Sequence, residues 1–389
     1  MKTHRCVLCL LSALAIFAGA CTYRLPARPT AIPSATLIPT SAASATSPST
    51  PTLAPSATST LQPTVTATAT LPAATATATQ PPTATQFVER TGTGDLRIRF
   101  ATGTTSAVVS GDLEAGDSVR YVLRILEDQL LEVTLTPDTD LQLAVYGEDG
   151  TVLKRAGSGG PFFRGYVPRN QHYFLEITAV NRARSYTANV IVPARIRFER
   201  GTTSGSVDGR LAAFQSQYYI LRVLEDQLLE LDGSPEQAMR MSVYGVDGTV
   251  LKSGMGGGAL FRGIVPSTQD YIVTLSAGDQ AVSYDLTAIV PVRISFRPGA
   301  TSGSVSDSLA ADRTQYYVLR ALDGQTMQVE ITPEDDLQLS VYGADGTVLK
   351  SSSSSGASFS GELPGTQDYL LAVSSGAQAV NYTLKVTIP

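Results

Sequence analysis

The chain has 389 residues, 43% of them hydrophobic and only 16% charged, well below the ~25% charged residues of an ordinary globular protein. Its three cysteines, Cys6, Cys9 and Cys21, all fall in the first 21 residues, so the rest has no disulfide, no Cys-ligated zinc and no thiol nucleophile. A net charge of −5 argues against a nucleic-acid binder, which shows a basic patch or a high pI.

Residues 1–20 read as a lipoprotein-type signal peptide. Lys2 and Arg5 form a short positive region, followed by an apolar run of 16 residues from Cys6 to Cys21. That is shorter than the ~20 residues a membrane-spanning helix needs, and small residues close it, as in a cleavable signal. Its ending, Ala18-Gly19-Ala20-Cys21, resembles the lipobox of bacterial lipoproteins, in which the Cys thiol receives a diacylglycerol and becomes the mature N-terminus. The resemblance departs at Ala18, where that family usually has Leu. The same residues satisfy the A-x-A rule of ordinary signal peptidase, which would leave an unmodified Cys21 and plain secretion. A lone thiol as the first residue of an exported protein would be an odd leftover, so the expectation is a lipidated Cys21 on the outer face of the cell membrane.

Residues 21–86 read as a disordered stalk. From Pro29 to Gln86, 48 of 58 residues are Pro, Thr, Ser or Ala and none is charged. Such a segment has too little apolar bulk to offset chain entropy. Pro-rich chains favour extended polyproline II, at ~3.1 Å per residue, and Ser/Thr-rich tracts with Pro also read as O-glycosylated.

After a lead-in over 87–95, one unit occurs three times, over 96–193, 194–291 and 292–389. V-Y-G-E-D-G-T-V-L-K from Val145 returns with Val and then Ala in place of Glu148, starting at Val243 and Val341. A period of 98 residues suits a small domain rather than a solenoid repeat. In the third copy Tyr317, Leu319 and Ala321 share one strand face, and Met327, Val329 and Ile331 share one face of the next. The intervening Asp323-Gly324 signals a hairpin. Counting onward through 337–341, 347–350, Phe359, 369–373 and 382–388, with strands near Ile294 and Val305, gives about nine short strands. The fold class is therefore all-β, three tandem antiparallel β-sandwiches.

Each copy resembles the bacterial pre-peptidase C-terminal domain. The matching segments run from T-S-G-S-V-S-D-S-L at Thr301 through Y-Y-V-L-R-A-L-D-G-Q and L-Q-L-S-V-Y-G-A-D-G-T-V-L to L-P-G-T-Q-D-Y-L-L-A-V and N-Y-T-L-K-V. Copy one departs at Asn170-Gln171-His172-Tyr173, where the others read T-Q-D-Y. The resemblance implies a jelly-roll-like sandwich and a non-catalytic accessory, adhesion or binding module.

No catalytic residue, cofactor site or metal site is assigned. His172 is the only histidine after the signal and has Asp270 and Asp368 as counterparts, so it reads as a turn-facing polar residue rather than a general base. Gly254-Met255-Gly256-Gly257-Gly258 lacks the third glycine of a dinucleotide fingerprint and joins strands, so it reads as a loop. Glu334, Asp335 and Asp336 in copy three, and Asp138 and Asp140 in copy one, offer clustered carboxylates of the kind that hold calcium, so a site in one or two copies stays open while one common to all three does not. Copy two has just Glu236 there, with Ala238 at the position of Asp140. Tyr146, Tyr244 and Tyr342 lie out of phase with the apolar residues of their strands and are candidates for a sugar-stacking platform or for rim packing. Arg124, Arg222 and Arg320 are expected to pair with a cross-strand carboxylate. The expected partners are the membrane through the lipid and an extracellular polysaccharide or protein, with no nucleic acid.

Overall fold

The computed structural model describes residues 94–389 apart from Ser355, together with the backbone strand Glu89–Arg90. The signal, Cys21 and the stalk lie outside these residues.

The first sheet pair contains β1 (Glu89–Arg90), β2 (Leu96–Arg97), β3 (Ser106–Leu113), β4 (Ser118–Ile125), β5 (Leu130–Thr136), β6 (Leu141–Gly147), β7 (Val152–Lys154), β8 (Phe162–Tyr166), β9 (Gln171–Ala179) and β10 (Arg184–Ile191). One sheet has the order β1-β2-β4-β9-β6-β7 and the other β3-β10-β5-β8. Copies two and three repeat both orders with nine strands each, lacking only the counterpart of β1. All pairs are antiparallel except β2 with β4 and its two counterparts. The protein is thus three tandem β-sandwiches.

Strand alternation follows the expected phase. Tyr317, Leu319, Ala321, Met327, Val329 and Ile331 are all buried, and each sheet pair closes on its own apolar core. The turn at Asp323-Gly324 corrects the hairpin expectation. Thr314–Ala321 pairs with Gln367–Ser375, whereas Thr326–Thr332 pairs with Val380–Thr387 in the facing sheet. The chain crosses between layers here, because both strands point their apolar sets inward from opposite sides of the core. An Asp-Gly pair reports only that the backbone turns tightly. Gly324 takes a positive φ of 73°, and Asp128 and Asp226 hold the same position at 61° and 63°.

Two tyrosine contacts recur in every copy. Tyr121 meets Tyr186 hydroxyl to hydroxyl at 2.6 Å, as do Tyr219 with Tyr284 at 2.5 Å and Tyr317 with Tyr382 at 2.6 Å. Each pair joins the two sheets through the core and satisfies two buried hydroxyls at once. Tyr173, Tyr271 and Tyr369 donate to the carbonyls of Arg169, Ser267 and Gly365, four residues upstream, at 2.9, 2.8 and 2.7 Å. This is the corner bond that pins a loop to the start of a strand in many sandwiches. Nine of the 16 tyrosines are therefore consumed by the cores.

Candidate interaction surfaces

The repeated polar motifs resolve into turn chemistry. In copy two, Asp247 Oδ1 accepts from Thr249 N at 2.8 Å, and Gln269 Oε1 accepts from Asp247 N at 3.0 Å. The Thr249 N–H bond, above all, holds the Asp247 carboxyl below the usual carboxylate range. A Cβ on Gly245 would lie 2.5 Å from both Asp247 Oδ1 and Gln269 Nε2, closer than atoms can approach, so the V-Y-G glycine is there to admit this turn. The departure at Asn170 leaves the local contact intact. Its Oδ1 accepts from Glu127 N at 2.7 Å, the bond Thr268 Oγ1 makes with Glu225 N at 2.9 Å. Residues 254–256 form a short 3₁₀ turn between two strands, with Met255 N donating to Ser253 Oγ at 3.3 Å.

His172 sits in strand β9 opposite Arg124 and faces the turn after β6, with its ring 3.1 Å from Glu148 Oε2. The counterparts of Arg124 also correct an expectation. Arg222 and Arg320 face Asp270 and Asp368 in register, but the bidentate partners of those carboxylates are Arg195 at 2.8 and 3.3 Å and Arg293 at 3.1 Å. The arginines of the short parallel strands reach them first. Burial raises the Asp270 pKa, but Arg195 and the hydroxyl of Tyr166 outweigh it and hold the group below its ordinary value.

Among the described residues no group of three or more His, Cys, Asp or Glu is placed to hold a metal ion. Glu334, Asp335 and Asp336 are exposed. Asp140 is engaged by arginine: Arg182 Nε lies 2.8 Å from Oδ2, Arg184 donates to the same oxygen, and Asn181 Nδ2 lies 3.3 Å from Oδ1. These donors, Arg184 first, lower its pKa to about 2, against ~3.9 in an unfolded chain. A depressed carboxylate stabilises the fold fully above pH ~4, and that contribution fades as pH falls toward 2. Asp140→Asn is therefore expected to be less stable than wild type at pH 7, with the difference shrinking steadily as pH falls from about 4 toward 2. Thermal melts of both proteins across pH 2–7 check this, and a constant gap would refute it.

The three platform tyrosines differ by position in the chain. Tyr244 lies under Arg164 of copy one, whose Cζ is 5.0 Å from the ring centroid. Tyr342 lies under Arg262 of copy two at 4.9 Å. Burial pushes the Tyr244 hydroxyl up to about 12 and raises Tyr342 as well. These two rings are joint residues and not free stacking platforms. Tyr146 stacks on Phe174, with centroids 5.4 Å apart, and donates to Glu176 Oε2 at 3.0 Å.

Both joints follow one plan. At the second, Arg262 Nε and Nη2 bind Glu230 at 2.8 and 2.9 Å, and Nη1 donates to the Gly343 carbonyl at 3.2 Å. Leu228 packs with Val318, Leu370 and Tyr342, as Leu130 packs with Ile220, Ile272 and Tyr244 at the first. Thr203 Oγ1 accepts from Tyr316 N at 2.8 Å, and Thr105 Oγ1 from Tyr218 N at 2.8 Å. The first joint adds a hydrogen bond of 2.5 Å from Tyr166 to Asp270. Sequence reasoning missed these surfaces because each contact spans some 80–110 residues of chain. The available signal was the position where two copies agree and an end copy differs: Leu130 and Leu228 against Thr326, Arg164 and Arg262 against Ser360.

Copy one also has an open cleft of about 500 Å³ beside β7 and β8, lined by Lys154, Arg155 and Phe162 among others. Lys154 is nearly buried, and its ammonium donates to the Ser158 carbonyl. Lys252 and Lys350 make the same loop contact in their copies, to Gly257 and Ser354 at 3.1 and 3.3 Å, so this lysine fastens a loop.

No protein-family model matches the chain, and no curated protein matches it. Solved structures do resemble parts of it. PliG of Aeromonas hydrophila, a periplasmic inhibitor of g-type lysozyme, is 24% identical over 25% of this chain and 96% of its own, with a TM-score of 0.23. The PBSX exported protein XepA is 12% identical over 52% and 93%, TM-score 0.20. A triple jelly-roll protein of an archaeal virus turret is 9% identical over 73% and 90%, TM-score 0.18. None of these likenesses decides a function.

Proposed function

We propose that this chain is an exported, non-catalytic lipoprotein that holds three β-sandwich modules away from the cell membrane for binding or adhesion to extracellular polymer or protein. The observation that carries the reading is the pair of like-built joints: three modules set in one register suit presentation of a surface better than independent action. Cys21 supplies retention. Lipid chains contribute ~0.8 kcal/mol per buried CH₂, one chain holds only marginally, and more than one is needed for a firm anchor. The uncharged stretch from Pro29 to Gln86 supplies distance. From Phe87 onward there are 25 Lys and Arg against 34 Asp and Glu, a net of −9, so an anionic membrane surface repels the modules rather than adsorbing them.

Cell fractionation of wild type and Cys21→Ser tests this. Wild type is expected in the membrane fraction with an acyl mass shift on its N-terminal peptide, and Cys21→Ser as unprocessed precursor or as protein in the medium. A wild-type chain released to the medium with an unmodified Cys21 would leave plain secretion in its place.

A further inference from the structure

We infer that the stack of sandwiches is closed at both ends against a second copy of this chain: the outer faces of copies one and three are versions of the joint surface altered so that they cannot dock. The joints are heterologous. Each uses the β5–β8 face of one copy and the β4–β9–β6 face of the next, so two different surfaces meet. A heterologous contact that does not close into a ring propagates without limit. Repeat arrays consequently need end units with polar outer faces.

The substitutions fall where this requires. On the outgoing face, the buried Leu130 and Leu228 become the exposed Thr326. Arg164 and Arg262, which clasp the next copy's tyrosine and backbone, become Ser360, and Tyr166 and Ile264 become Glu362. Copy three therefore has neither the apolar plug nor the guanidinium, and Gln328 replaces the carboxylate that would orient one. On the incoming face of copy one, Tyr218 and Tyr316 are replaced by Arg120, Thr274 and Ala372 by Glu176, and Val246 and Ala344 by Glu148.

Copy one also fills the vacancy from within. In the joints, an arginine of the preceding copy stands 5.0 or 4.9 Å over the ring of Tyr244 or Tyr342. In copy one, its own Arg120 stands 5.2 Å over the ring of Phe174 and holds Asp95 at 2.6 Å. Docking another chain here would strip water from Arg120, Glu148 and Glu176, and would set Glu362 where Tyr166 meets Asp270 in the first joint, a place taken in copy one by His172 beside Glu148.

The test uses the chain from residue 21 onward with Cys21→Ser, so that neither lipid nor thiol associates. A tail variant carries Thr326→Leu, Gln328→Glu and Ser360→Arg; a head variant carries Arg120→Tyr and Glu148→Val. All five sites are solvent-exposed, and circular dichroism melts confirm folding. Sedimentation velocity should show wild type and each single-ended variant as monomers. An equimolar mixture of the two variants should double in mass, and one chain carrying both sets should form longer, concentration-dependent assemblies. Folded variants that stay monomeric when mixed would overturn the inference, and so would wild type that associates through these faces. If the head variant fails to fold, the tail variant is mixed with a Glu148→Val chain, and the same two outcomes decide.

Discussion

Replacing Arg262 with alanine is expected to destabilise the second joint by about 3–5 kcal/mol, the usual cost of breaking a buried ion pair by removing one partner. Glu230 is only 5% exposed, and its two short bonds to Arg262 are its compensation for burial. Without them a carboxylate is left desolvated against Tyr342. The loss goes beyond charge, because the same guanidinium covers that ring and caps the Gly343 carbonyl. Urea denaturation should show copy three releasing before the rest, and Arg262→Ala/Glu230→Gln should recover part of the loss because no charge is then stranded. Ser360→Ala, at the same position in copy three and exposed, should change stability by less than about 0.5 kcal/mol, as surface substitutions usually do. A loss below about 1 kcal/mol for Arg262→Ala would show that the joint does not depend on this pair.

Tyr271 offers the second large effect. The residue is fully buried and has two separable roles, a ring that fills the core and a hydroxyl that donates to the Ser267 carbonyl at 2.8 Å. Tyr271→Ala removes both and is expected to cost about 3–5 kcal/mol, as other aromatic-to-alanine changes do in cores. Tyr271→Phe keeps the ring and should cost about 1 kcal/mol, the net worth of one hydrogen bond. The difference between the two variants, read from denaturation midpoints at constant slope, separates packing from the corner bond. Equal losses would mean that the hydroxyl, not the ring, holds the loop.

Much of this fold is legible in one copy of the sequence. The alternation of Tyr317, Leu319 and Ala321, and of Met327, Val329 and Ile331, places the core residues on their strands, because a half-buried strand must alternate. The nine strands of copy three follow from the same rule. What escapes it is whatever depends on a second partner. Val318 lies between two core residues and is itself 1% exposed, since its outer face is covered by Leu228 of the copy before. Periodicity has no means of expressing burial on both sides by a neighbour 90 residues away. The layer crossing at Asp323-Gly324 escapes for a different reason, since hairpins and inter-sheet corners use the same turn residues. Tyrosine abundance suggests a sugar-binding surface, yet most of it is spent on inter-sheet pairs and corners. A residue count carries no address.

The tyrosine pairs have a mechanical consequence. If the stalk anchors one end and a captured object pulls on the other, tension enters copy two at Ala194–Arg195 and leaves through Val282–Ile289, two strands in different sheets. The entering strand has only two rungs, and its first residue, Ala194, lies opposite Tyr219. The hydroxyl of Tyr219 meets Tyr284 on the departing strand. Load therefore need not travel along the edge of either ladder, where rungs would open one after another. Beside the eight-pair ladder between Ser204–Leu211 and Val282–Ile289, a second route crosses the core through a contact sheltered from water, with counterparts in Tyr121 with Tyr186 and Tyr317 with Tyr382 in copies one and three. Only two residues, Val290 and Pro291, separate one copy's last strand from the next copy's first, so the strain is handed on with almost no slack.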